Sequence, residues 1–168
     1  MNIEKTAQAV VSLLREKNQK VAFAESCTGG MVSSAIISVA GSSQVLDLSI
    51  VTYANEAKVK YTHVTDEVLA TYGAVSEETA RLMARGIHEK AKADFGVGIT
   101  GIAGPDGGTA KKPVGTVYIA VDSCENQQVK HCLFTGNRQE IREQTTQKAL
   151  EMLYDCILQT PSCQGKGV

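Results

Sequence analysis

The sequence predicts an α/β fold: a single three-layer α/β/α domain on a mixed, mostly parallel sheet of about five strands. Three observations carry this. Short apolar runs alternate with stretches of helical periodicity along nearly the whole chain. The 168 residues, 43% of them hydrophobic, are near the size of one domain and sufficient for one substantial core. The last two strand candidates are separated by a polar turn too short for a helical crossover, so that pair is antiparallel and the sheet mixed. Residues 1–160 read as the domain and 161–168, opening on Pro161, as a flexible tail.

Each element has its own signal. Ile3, Ala7, Val10, Val11 and Leu14 recur at helical spacing, and the polar run 17–20 ends that helix before a short apolar strand at 21–24. A second helix is expected over 28–39, entered through Gly29-Gly30 and closed by Gly41-Ser42-Ser43. Glycines weaken a helix, so their use there implies close approach of backbone to a neighbour or a ligand. A strand follows within 45–53, with a helical turn from Asn55 to Lys58. Thr65-Asp66-Glu67 caps another short helix, and Ser76-Glu77-Glu78 starts a longer one whose Ala80, Ala84, Ile87 and Ala91 share a face. Residues 95–100 read as a buried strand running into the glycine-rich loop 101–108. Strands near 115–121 and 129–134 come next, and a final helix over 139–158 aligns Ile141, Thr145, Ala149, Leu153 and Ile157.

Composition narrows the functional classes. Seventeen basic and eighteen acidic residues leave a formal charge of −1, and three Phe, five Tyr and no Trp offer little for stacking bases. Nucleic acid is not the expected partner. Neither a run of about 18 apolar residues nor a signal-peptide core is found, so no membrane partner and a cytoplasmic location are expected. The odd set of five cysteines, Cys27, Cys124, Cys132, Cys156 and Cys163, contains no Cys-x-x-Cys pair and fits a reducing compartment, with Cys124, Cys132 and Cys156 as packing residues. His63, His88 and His131 lack metal-ligand spacing, and no metal is expected.

Four segments can carry chemistry. Ala24-Glu25-Ser26-Cys27-Thr28-Gly29-Gly30 passes from strand to helix and leaves a hydroxyl, a thiol and backbone amides at the junction. Ser26 is there either a nucleophile or a helix cap, and Cys27 either a thiol activated by the helix end or a buried, inert one. The run lacks the Gly-x-Ser-x-Gly elbow and has no histidine nearby. A base can come instead from Val51-Thr52-Tyr53-Ala54-Asn55-Glu56-Ala57-Lys58: a desolvated Lys58 can lose its proton and activate a hydroxyl, with Tyr53 relaying a proton or orienting the lysine. Packed tyrosine and solvated lysine are the plain alternative, and Asn55 either orients Lys58 or starts the turn. The loop 101–108 is neither a dinucleotide fingerprint nor a Walker loop; Asp106 holds a ribose hydroxyl or shapes the turn, and Thr100 meets the ligand or satisfies a carbonyl. Arg138, opening the last helix, either holds a phosphate with the helix amides or faces solvent; Arg142 either assists or is a surface charge.

These runs, together with Gly41-Ser42-Ser43, Gly73-Ala74-Val75-Ser76, the segment 112–117 and Phe134-Thr135-Gly136-Asn137-Arg138, resemble in combination and order the CinA C-terminal domain family, also called the nicotinamide-nucleotide amidohydrolases. The resemblance spans roughly residues 5–158. It implies hydrolysis of the carboxamide of nicotinamide mononucleotide to nicotinic acid mononucleotide and ammonia, with no cofactor and with a homo-oligomer as a partner state. It carries the nucleophile to Ser26, the base system to Lys58 with Tyr53, and an anion-stabilising wall to Thr28, Gly29 and Gly30. Substrate-binding roles fall to Ser42, Asn55, Thr100, Gly101, Ala103, Gly104, Asp106 and Arg138. It also implies a standalone form to which no pyrophosphatase activity of longer CinA proteins is assigned. Two other readings use the same residues: a noncatalytic nucleotide-sensing or interaction module, and an amidase dependent on Cys27.

Overall fold

In a computed structural model that describes residues 2–160, five strands and six helices form three layers. Helix α1, Ile3–Glu16, is capped by the Asn2 side chain, which accepts from the Lys5 N–H at 2.9 Å, and buries the predicted face of Ala7, Val10, Val11 and Leu14. Strand β1, Val21–Glu25, is buried at every residue. Helix α2 is Met31–Ile37, three residues later in onset than 28–39 predicts. The cause is local: Gly29 and Gly30 take φ of +61° and +93°, so residues 26–30 form a turn rather than a first helical turn.

A 3-10 turn, Ser42–Gln44, leads into β2, Leu46–Val51. The strand stops short of Tyr53 because the chain turns there into α3, Asn55–Tyr61. Helices α4, Asp66–Tyr72, and α5, Glu77–Ala91, carry the expected caps, Thr65 and Ser76. Strand β3 is Phe95–Gly101; β4, Thr116–Ser123, and β5, Gln127–Leu133, form a hairpin tighter than the sequence predicts. Helix α6, Arg138–Gln159, opens on a reciprocal capping box between Asn137 and Glu140.

The sheet order is β2-β1-β3-β4-β5. Pairs β1–β2 and β1–β3 are parallel, while β3–β4 and β4–β5 are antiparallel. Four strands therefore point one way and β4 alone opposes them, although the pairings divide evenly. Residues alternate between faces. Val21 and Phe23 pack with Val97 and Ile99 under α1, α2 and α6, whereas Ala22 and Ala24 pack with Met83 and Ile87 of α5. On that second face Gly98 lets α5 settle directly on the sheet. A Cβ there would meet the Ala80 carbonyl oxygen and, at 2.5 Å, the Ala84 nitrogen, both backbone. Gly98→Ala is expected to cost about 3 kcal/mol and to lower the melting temperature by roughly 6–12 °C, read by differential scanning calorimetry.

Chain order places the site. From β1 the chain crosses to β2 on one side, and from β3 it passes to β4 on the other. The crevice between the carboxyl ends of β1 and β3 lies at this divergence, where open α/β sheets bind ligands.

Two expectations on cysteine and location meet the structure here. Cys27, Cys132 and Cys156 are buried free thiols, but Cys124, exposed on the β4–β5 turn, is disulfide-bonded rather than a packing residue. Among the described residues no helix is long and apolar enough to cross a membrane. The tail 161–168, including Cys163, lies outside the described residues.

Candidate active site

Ser26 follows the last residue of β1 and is nearly buried. Glu25, just before it, is fully buried and turns its carboxylate onto the start of α2, accepting from the N–H groups of Gly30, Val32 and Ser33 at 3.0, 3.1 and 2.9 Å. Those donors are therefore engaged. The Gly29 N–H is engaged too, donating to the Ser26 carbonyl at 3.0 Å. The anion-stabilising wall expected of Thr28, Gly29 and Gly30 is corrected accordingly: Glu25 takes the Gly30 N–H, the Ser26 carbonyl takes that of Gly29, and none of the three borders the cleft. Sequence reasoning missed Glu25, although an acid at a strand end before a glycine-led helix is the placement that the helix dipole rewards.

Lys58, on α3, is the side chain that meets Ser26. Its side chain is only 2% exposed, and Nζ donates to Ser26 Oγ at 3.1 Å, to the Thr52 carbonyl at 2.8 Å and to the Tyr53 carbonyl at 3.4 Å. The surface-lysine alternative is excluded by this burial. Removal from water pushes the Lys58 pKa below its ordinary 10.5. Only a Cys27 thiolate would oppose that shift. It does not form at neutral pH, because burial pushes the Cys27 thiol up to about 12. Cys27 is thus an inert packing thiol at the cleft wall. Cys27→Ala is expected to leave kcat/KM within about one order of magnitude of the parent, in steady-state kinetics.

The tyrosine stands differently from the expectation. Tyr53 is 62% exposed, and its hydroxyl accepts from Arg138 Nη2 at 2.9 Å; what reaches Lys58 is the Tyr53 carbonyl. Arg138 also donates from Nη1 to the Gly104 carbonyl at 2.7 Å, so it spans the cleft rim from the α3 side to the glycine loop. The cleft has a volume of about 260 Å³. Besides Ser26, Lys58, Tyr53 and Arg138, it is bordered by Asn55, Thr100, Gly101, Ala103, Gly104 and Asp106. Thr100 points its hydroxyl to the Ala74 carbonyl at 2.7 Å, the carbonyl-satisfying alternative. Ser42 is elsewhere: it borders a separate groove beside β2, and its hydroxyl donates to the Ile37 carbonyl at 3.4 Å. Ser42 lies in the α2–β2 connection, just before the edge strand β2, away from the β1–β3 crevice. Among the described residues no cluster of His, Cys, Asp or Glu has the makings of a metal site.

The family model described as the CinA C-terminal domain matches residues 3–157. This chain belongs to the CinA C-terminal domain family. It is 47% identical over 146 residues to a putative competence-damage inducible protein of Alkaliphilus metalliredigens, covering 87% of this chain and 36% of that one. It is 49% identical over 144 residues to a CinA-like protein of Anaeromyxobacter dehalogenans, covering 86% of this chain and 35% of the relative. The chain thus spans about a third of the length of these curated CinA relatives. Among solved CinA structures, the competence/damage inducible protein CihA of Agrobacterium tumefaciens superposes with a TM-score of 0.91 at 42% identity, covering 95% of this chain and 97% of that one. A CinA superfamily protein of Escherichia coli gives 0.87 at 32% identity, covering 94% and 90%. The mixed five-stranded α/β fold is therefore that of CinA proteins.

Proposed function

We propose that the chain is a nicotinamide mononucleotide amidohydrolase that forms nicotinic acid mononucleotide and ammonia. The observation that carries this reading is the contact between a desolvated Lys58 and Ser26 at the head of the cleft. In its neutral form Lys58 accepts the proton of Ser26, and the oxygen attacks the carboxamide carbon. The resulting ammonium gives a proton to the amide nitrogen, the C–N bond breaks, and ammonia leaves an ester on Ser26. Lys58, neutral again, deprotonates a water that cleaves the ester and restores the serine.

The Thr52 and Tyr53 carbonyls aim the amine throughout. A cationic pyridinium ring suits a neutral lysine better than a charged one, and it draws electrons from the carboxamide, making the carbon easier to attack. The cleft is slightly below the usual pocket range of about 300–1,000 Å³. It therefore takes the pyridine carboxamide and leaves ribose and phosphate toward the open rim, where Arg138 and Asp106 lie. Arg138 is the cation for the phosphate, and Asp106 the acceptor for a ribose hydroxyl.

The test is ammonia release with mass detection of the nucleotide product from purified protein and nicotinamide mononucleotide. Equal amounts of ammonia and nicotinic acid mononucleotide are expected. A folded protein that binds the nucleotide without forming product would instead be a nucleotide-sensing module.

A further inference from the structure

We propose that Arg142 is a positioning residue for the nucleophile, gripping the outer carbonyls of the 26–30 turn from α6 so that Ser26 stays aimed at the cleft. The inference rests on the reading of Ser26 as nucleophile.

Arg142 lies in the second turn of α6, more than a hundred residues from the turn it touches. Its Nε donates to the Cys27 carbonyl at 3.2 Å and its Nη2 to the Thr28 carbonyl at 2.8 Å, while Nη1 donates to Gln139 Oε1 at 3.2 Å. Among the described residues no carboxylate pairs with it. Its charge is directed at backbone, and it does not border the cleft. Neither a solvated surface charge nor a ligand contact describes it.

Peptide planarity turns this grip into orientation. In a trans peptide the C=O and the following N–H point opposite ways. Holding the Cys27 carbonyl toward α6 turns the Thr28 N–H away from α6. Holding the Thr28 carbonyl fixes the plane of the Gly29 N–H, which closes back onto the Ser26 carbonyl at 3.0 Å. Glu25 fastens the far end of the same turn through Gly30. The turn is held at both ends, and Ser26 Oγ meets Lys58 from a backbone with little freedom. A guanidinium engages two successive carbonyls at set angles, which a lysine does not reproduce.

The experiment follows Ser26 without depending on the natural substrate. A fluorophosphonate probe reacts with an activated serine, displacing fluoride as Oγ bonds phosphorus, and peptide mass spectrometry locates the adduct. The parent, Arg142→Ala and Arg142→Lys are compared for labelling rate, with circular dichroism and melting temperature measured in parallel. The parent is expected to label at Ser26, and both variants to label about 100-fold more slowly, as misplacement of a reacting group by about 1 Å predicts. Millimolar guanidinium is expected to restore much of the rate to Arg142→Ala and none to Arg142→Lys.

Parent-like labelling of both variants would overturn the positioning role while leaving Ser26 as nucleophile. So would loss of rate that tracks unfolding and ignores guanidinium, because Arg142 would then be structural only. A folded parent that never labels at Ser26 would overturn the nucleophile reading and this inference with it.

Discussion

Ser26→Ala is expected to abolish turnover of nicotinamide mononucleotide while preserving the fold and much of the affinity for the nucleotide. The substitution removes one oxygen from a nearly buried site at the end of β1. It leaves Lys58 with the Thr52 and Tyr53 carbonyls as acceptors, so no buried amine is orphaned. Only the covalent route is lost. Removal of a nucleophilic serine from a serine–base pair lowers kcat by at least about 10⁴-fold. Steady-state kinetics, calorimetric binding and a melting curve on the variant check the three parts separately. Turnover within tenfold of the parent would remove Ser26 from the reaction.

Lys58→Met is the second large effect, and it separates activity from stability. The thioether fills most of the volume of the lysine but cannot accept a proton, so kcat is expected to fall by about 10³–10⁴-fold. Stability at neutral pH is expected to change by no more than about 2 kcal/mol, because relief from keeping an amine out of water is offset by the Thr52 carbonyl left without its donor. The pH dependence follows from the lowered pKa. Unfolded, Lys58 titrates near its ordinary 10.5, while in the fold it releases its proton at lower pH. Between these two values the unfolded chain binds more protons, so this group makes the fold more stable as pH rises across that window and least stable below it. The same deprotonation is expected to set the acidic limb of kcat/KM. Lys58→Met is expected to lose both the limb and this share of the slope in melting temperature against pH. An unchanged acidic limb in residual activity would assign the base elsewhere.

The fold was legible because its signals are local. Caps at Thr65 and Ser76, the apolar faces of α1 and α5, and the short β4–β5 turn each declare themselves within a few residues. The late start of α2 was not legible, since glycine adopts helical and positive φ alike and the residue pattern does not say which Gly29 and Gly30 take. The site was legible as a set of residues more than as an arrangement. Lys58 sits in a polar heptad that reads equally as surface helix, and only its passage over the carboxyl end of β1 buries it. The roles of Tyr53 and Arg142 turn on which backbone carbonyls they meet or present, and no residue pattern encodes that. Ser42 shows the converse. It belongs to a short run that matches the family, yet chain direction carries it to the β2 edge.

The proposed reaction runs through a covalent ester on Ser26, and acid quenching of a reaction with nicotinamide mononucleotide, followed by peptide mass spectrometry, captures that ester if it forms. A nicotinoyl-mononucleotide adduct is expected on the peptide containing Ser26, fragmenting to the serine and absent from Ser26→Ala. An adduct on Cys27, or product accumulating within the first turnover with no adduct on Ser26, would contradict it.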